Sequence, residues 1–224
     1  MGERVGFGAN GGTADGYLAR PAQERAPGVL VIQEWWGLNE HVKKVADRYA
    51  SEGFLAIAPD LYHGTLTKSP DEAGKLLMAL DIDRAEKDLR GSVAYLRSLT
   101  GRPVGVVGFC MGGALSLFAA CVNGPDVGAC VIYYGIHPKV RYDFDRLKAP
   151  LLGHWAEDDP GANANVPIIE GELNKRGKPY EFHTYPGTRH AFFNDERPEV
   201  YDKAAAELSF ARTLAFFRKQ LSGP

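Results

Sequence analysis

The chain predicts an α/β fold, a mostly parallel central sheet with helices on both faces, and three observations carry that prediction. Short, continuously apolar, β-rich runs recur at 28–32, 54–58, 104–107, 129–134, 150–152 and 180–185. Such runs lack the in–out alternation of a half-exposed sheet and imply burial on both faces. Segments of helical periodicity alternate with them, the signature of βαβ units. The chain has 224 residues, 45% hydrophobic and 24% charged, enough for one sizeable core, so residues 1–224 are expected to form one domain.

In chain order, Gly8-Ala-Asn-Gly-Gly12 lies between two weak strand patterns and predicts a hairpin. Helical patterns follow at 40–51, 82–96, 111–122 and 165–176. In the second, Ile82, Ala85, Leu89, Val93 and Leu96 form a stripe behind Asp81 or Asp83 as cap. Near the C-terminus Tyr201, Ala205, Leu208, Ala211, Leu214 and Phe217 make another.

The net charge is −2 and there is no Lys/Arg block, so no nucleic-acid or anionic-membrane partner is expected. No run approaches the ~20 apolar residues of a membrane span, and the opening residues lack a signal-peptide pattern, which predicts a cytoplasmic protein. Cys110, Cys121 and Cys130 are odd in number and lack CxxC or Cys/His spacing, which argues against a disulfide framework or a zinc site. No metal or cofactor is called for. The expected partner is a small molecule or another copy of the chain, as a monomer or small homo-oligomer.

Ligands of parallel sheets bind at the carboxyl ends of the strands. There the sequence concentrates polar groups, and Gly108-Phe-Cys110-Met-Gly112 has the G-x-C-x-G form of a nucleophile elbow. Such a turn presents the cysteine in the open at a helix N-terminus, where the helix end favours thiolate and the Met111 amide can meet an oxyanion. A nucleophile needs a base and an orienting acid, in the chain order nucleophile, acid, base. Cys110, Asp159 and His190 satisfy it, although Asp158 competes with Asp159 on the residues alone. Glu34 follows four apolar residues, where an unpaired carboxylate is costly to bury. Its partner is a lysine or backbone amide on one reading, and the Cys110 thiol or His190 imidazole on the other. Trp35 and Trp36 are candidates for the wall of an apolar pocket.

With these residues in view, the chain resembles the dienelactone hydrolase family, cysteine-dependent members of the α/β-hydrolase superfamily without a separate lid domain. The carrying stretches are QEWWGLNEHVK at 33–43, APDLYHG at 58–64, GFCMGGALS at 108–116, YYG at 133–135 and GTRHAFFN at 187–194. The resemblance implies hydrolysis of small esters or lactones through an acyl-enzyme. It implies Cys110 as nucleophile, His190 as base, Asp159 as acid, Glu34 as the acceptor from the resting thiol, and the Met111 and Trp35 amides as oxyanion hole. Trp36, Tyr62 and Asn194 would face the substrate. Family members acting on dienelactone hold its carboxylate with two arginines, and here those places carry Pro70 and Asn194. That departure predicts a preference for neutral substrates unless Arg189 or Arg84 substitutes. The same residues could act on another electrophile, such as a phosphotriester or halogenated lactone. A non-catalytic ligand-binding scaffold would be expected to break the Cys-His-Asp set.

Overall fold

The structure is a computed structural model and describes residues 2–9 and 11–221. Eight strands form one sheet: β1 (Glu3–Ala9), β2 (Gly12–Ala19), β3 (Gly28–Ile32), β4 (Leu55–Pro59), β5 (Val104–Phe109), β6 (Val127–Tyr133), β7 (Leu151–Asp158) and β8 (Tyr180–Arg189). Their spatial order is β1-β2-β4-β3-β5-β6-β7-β8. The expected hairpin joins β1 to β2 with Ala9 opposite Gly12; Asn10 of that turn lies outside the described residues. β2 is antiparallel to both neighbours and the other pairs are parallel.

Every residue of β3, β4 and β5 is buried, as their unbroken apolar runs require. The helices are α1 (Glu40–Ser51), α2 (Pro70–Ala79), α3 (Ile82–Thr100), α4 (Met111–Asn123), α5 (Pro160–Asn163), α6 (Val166–Lys175) and α7 (Lys203–Leu221). They cover both faces. Val29 pairs with Gly105 in register, so those two point one way and Gly28 the other. A side chain at Gly105 would meet Phe217 of α7, and one at Gly28 would meet Leu96 of α3.

Four elements differ from their sequence pattern. In α7 the expected stripe fails at three places, since Tyr201 precedes the helix and Leu208 and Ala211 are exposed, and Ala206, Ser209, Phe210 and Thr213 share the buried face with Ala205, Leu214 and Phe217 instead. α2 buries only Ala73, so no apolar stripe marks it; Ser69 caps it, with Pro70 in its first turn. β7 and β8 extend well beyond their apolar runs because parallel pairing continues past residue 152. His154 sits fully buried in β7, since Tyr185 Oη at 2.8 Å and Thr213 Oγ1 at 3.0 Å satisfy both ring nitrogens.

The topology places a site. From β3 the chain passes to β4 on one side and then returns to β5 on the other. Connections leaving β3 and β5 therefore diverge, opening a crevice at their carboxyl ends. Gln33–Trp36 and Cys110 stand at that edge. Among the described residues no helix is long and apolar enough to cross a membrane.

Of the two cap candidates for α3, Asp81 is the one whose Oδ1 accepts from the Asp83 and Arg84 amides, at 3.0 and 3.1 Å. Asp81→Ala should therefore cost about 0.5–2 kcal/mol in urea unfolding. Asp83→Ala, removing no cap bond, should cost markedly less.

Candidate active site

Cys110 lies between β5 and α4 with φ 54° and ψ −118°, a region that side-chain-bearing residues avoid. His63, Tyr134 and Ala191 also have positive φ, and each follows the carboxyl end of a strand. The Cys110 turn is held on both sides. Its N–H donates to Tyr133 O at 3.1 Å, and its carbonyl accepts from Gly113 N at 2.9 Å and Ile136 N at 3.2 Å. The glycines are required by close approach: a Cβ at Gly108 would lie 1.8 Å from Gly112 O, one at Gly112 2.3 Å from Ile32 O, and one at Gly113 2.5 Å from Tyr133 O. The start of α4 thus rests directly on the backbones of β3 and β6.

Contrary to the sequence expectation of an exposed thiol, Cys110 is only 7% exposed. Trp35, Trp36 and Ile136 stand around it, and it is reached through a cavity of about 610 Å³. Cys121 and Cys130 do not line that cavity. Burial pushes the Cys121 thiol up to about 12 and drives Cys130 upward as well.

His190, half-buried at the end of β8, lines the same cavity. Its Nδ1 lies 2.5 Å from Asp159 Oδ2. Asp159 is buried, and its Oδ1 caps α5 by accepting from Ala162 N at 3.2 Å. Asp158 is exposed, so the geometry selects Asp159 of the pair as the partner of His190. Burial opposes charge on His190, but the facing Cys110 sulfur and the Asp159 carboxylate outweigh it and raise the imidazole to about 10.

Glu34 is 2% exposed and lines the cavity. Its partner is neither of those the sequence suggested: Oε2 accepts from Asn194 Nδ2 at 2.6 Å. Oε1 is buried without a hydrogen-bond partner among the described residues. Trp36 walls the cavity, edge-on to Trp35 at 5.1 Å. Tyr62 and Asn194 do not line it. Tyr62 instead donates to Met111 Sδ at 3.3 Å, and Asn194 stands behind Glu34.

The expectation of a cavity without guanidinium groups also needs correction. Arg141 and Arg197 line it, whereas Arg189 and Arg84 do not. The Arg197 guanidinium lies 5.7 Å from the Trp36 ring and pairs with Glu199 at 2.7 Å. Arg141 Nη1 is engaged with the carbonyls of Pro138 and Val140. Neither arginine occupies either of the places, Pro70 and Asn194, where the family resemblance puts one. No group of three or more His, Cys, Asp or Glu placed to hold a metal ion occurs among the described residues.

The family model for dienelactone hydrolases matches residues 14–221. The chain belongs to the dienelactone hydrolase family. Protein usf of Aquifex pyrophilus is 37% identical over 232 residues, covering 99% of this chain and all of that one. An Aquifex aeolicus protein with the provisional name carboxymethylenebutenolidase is 33% identical, with 99% and 100% covered. Among solved structures, a Klebsiella pneumoniae protein provisionally named a dienelactone hydrolase superposes with a TM-score of 0.87 at 26% identity, with 98% of each chain covered. A dienelactone hydrolase-like promiscuous phosphotriesterase from metagenomic libraries superposes at 0.88 with 22% identity and 99% of each chain covered, a likeness of fold.

The raised imidazole of this family member gives a pH expectation. A folded-state value of about 10 against the ordinary 6.5 favours the folded state, fully below about 6.5 and progressively less as pH rises to about 10. The stability advantage of the wild type over His190→Gln in urea unfolding should therefore shrink between pH 7 and 10. A constant difference would show that the pairing with Asp159 and Cys110 does not hold the proton.

Proposed function

We propose that this dienelactone hydrolase family member cleaves small carboxylic esters or lactones with Cys110 as nucleophile, His190 as general acid and base, and Asp159 as the orienting acid. The observation that carries this reading is the 2.5 Å Asp159–His190 contact in the same cavity as the strained Cys110 turn. A carboxylate on Nδ1 fixes the imidazole orientation and supports its charged form, leaving Nε2 for proton transfer. Cys110 stands at the N-terminus of α4, where first-turn amides have no partner in a preceding turn and the helix end favours negative charge.

In the first half-reaction the Cys110 thiolate attacks the substrate carbonyl carbon, and the C=O electron pair moves to oxygen. The Met111 and Trp35 amides take that oxyanion. As the carbonyl re-forms, the C–O bond to the alkoxide breaks and His190 supplies its proton; from a lactone the resulting alcohol stays on the acyl chain. The thioester then accepts water, whose proton passes to His190. Collapse expels the Cys110 thiolate and releases the carboxylic acid. Trp35, Trp36, Ile136 and Val140 give the cavity an apolar wall for the acyl or aromatic part of such a substrate. This chemistry uses the residues of one domain, and the oxygen nucleophile of the second step is water.

A panel of p-nitrophenyl acyl esters tests the assignment. Cys110→Ala should abolish turnover. Asp159→Asn should lose on the order of 10²–10⁴ in kcat by analogy with other triads, while Asp158→Asn stays near wild type. Retained activity in Cys110→Ala, or a crippled Asp158→Asn beside an active Asp159→Asn, would overturn it.

A further inference from the structure

The cavity holds a buried carboxylate, Glu34, that makes no ion pair among the described residues. Among the described residues its one hydrogen bond comes from Asn194, 160 positions away in sequence. A buried carboxyl group with a single neutral donor and one unpartnered oxygen is costly unless the arrangement serves some end.

We infer that Asn194 is a positioning residue: its amide holds one oxygen of Glu34, keeps the other available to the Cys110 thiol, and ties the Trp35 loop to the His190 loop. This rests on the reading of Cys110 as nucleophile.

The orientation of the amide is fixed from its other end. Asn194 Oδ1 accepts from the Glu196 amide at 3.0 Å, so the NH₂ group is the end that faces Glu34; the flipped amide would set oxygen against oxygen and lose both bonds. The backbone beneath is closed on itself. Asn194 N donates to Ala191 O at 2.9 Å, and Arg197 N donates to Asn194 O at 3.1 Å. Phe192 and Phe193, just before it, are buried in the core. Just after it, Asp195 meets His41 Nδ1 and Glu196 meets Lys44 Nζ, each at 2.9 Å, which docks the segment on α1. The donor at 194 is therefore carried by a braced segment that also begins with His190.

Neutrality matters as much as position. A cation at this place would form an ion pair with Glu34, whereas the neutral amide gives it a single hydrogen bond to Oε2 and leaves Oε1 without a partner among the described residues. Tyr134, after β6, lies within electrostatic reach of this carboxylate, and Cys110 at the start of α4 and His190 after β8 line the same cavity. Arg141, Arg197 and His137 line the cavity too, but among the described residues none forms an ion pair with Glu34. Tyr134 does not compete for the proton: burial, then the charges of Glu34 and Cys110, hold its phenol far above the ordinary range. The unpartnered Oε1 is an acceptor in the same cavity as a thiol that must lose its proton before attack. The proton moves from the Cys110 sulfur to Glu34 Oε1 and returns to the sulfur when the Cys110 thiolate is expelled at the end of the cycle, so no redox partner is needed.

The test uses Asn194→Asp, which keeps an acceptor for the Glu196 amide but sets a second carboxylate against Glu34, and Asn194→Ser as a smaller change. For each folded variant, kcat and KM are measured on a neutral p-nitrophenyl ester, together with the pH profile of Cys110 alkylation by iodoacetamide. Asn194→Asp should lower kcat by about tenfold or more with KM within about twofold, and should move the alkylation profile to higher pH. In a Glu34→Gln background the same substitution should add little, because two residues acting through one interaction are not additive. If Asn194→Asp does not fold, the Ser variant carries the test, with a several-fold loss confined to kcat. A wild-type kcat and a superimposable alkylation profile in the folded variant, or full additivity with Glu34→Gln, would overturn the inference. Turnover by Cys110→Ala would instead overturn the nucleophile assignment, so the two failures are distinguishable.

Discussion

The backbone of Cys110 is the constraint on which the rest of the site depends. A residue with a side chain at φ 54° and ψ −118° costs on the order of 1–3 kcal/mol and persists only where its surroundings over-determine it. Here β5 delivers the chain from a fully buried strand, and the first turn of α4 lies on the carbonyls of β3 and β6. Hydrogen bonds from Gly113 and Ile136 and to Tyr133 close the turn. Relaxing Cys110 to an ordinary conformation would break those bonds and lift α4 off the sheet. The strain is therefore kept in place by the core.

That turn also sets the places of its partners. β3 lies beside β5, so the residues leaving β3, Glu34 to Trp36, stand next to the cysteine. β6 supplies Tyr134 on the other side, and its ring centroid lies 5.0 Å from that of His190. β7 and β8 bring in Asp159 and His190 from the far part of the sheet, where parallel pairing fixes their relative height. Each of these candidate groups sits just beyond a strand end. The rigid part is the sheet, and the chemistry is placed on short connections that the sheet holds in register.

Much of this was legible in the sequence because it follows from local pattern. The apolar runs give the strands, and the glycines around Cys110 report contacts between backbones, which no larger residue permits. The order Cys110, Asp159, His190 survives folding because all three follow strands of one sheet. What the sequence hid is the direction of individual side chains. Asn194 and Tyr62 occupy plausible substrate positions in the chain, yet one turns to Glu34 and the other to Met111. Arg141 and Arg197 reach the cavity from irregular segments without periodicity. The burial of Cys110 was also invisible, since it arises from distant walls such as Trp36 and Ile136. α2 left no stripe because it buries a single alanine.

The proposed division of labour assigns nucleophilicity to a helix N-terminus, proton transfer to an imidazole held by a buried aspartate, and apolar recognition to two tryptophans. The proposed reaction turns on a covalent bond between substrate and Cys110. Intact-mass analysis after rapid acid quench of the enzyme with a slowly deacylating p-nitrophenyl ester, followed by peptide mapping, measures that bond directly. A mass increase equal to the acyl group is expected on the peptide containing Cys110, and none in Cys110→Ala. Rapid turnover with no adduct under conditions that accumulate other acyl-enzymes, or an adduct on Cys121, Cys130 or another side chain, would contradict it.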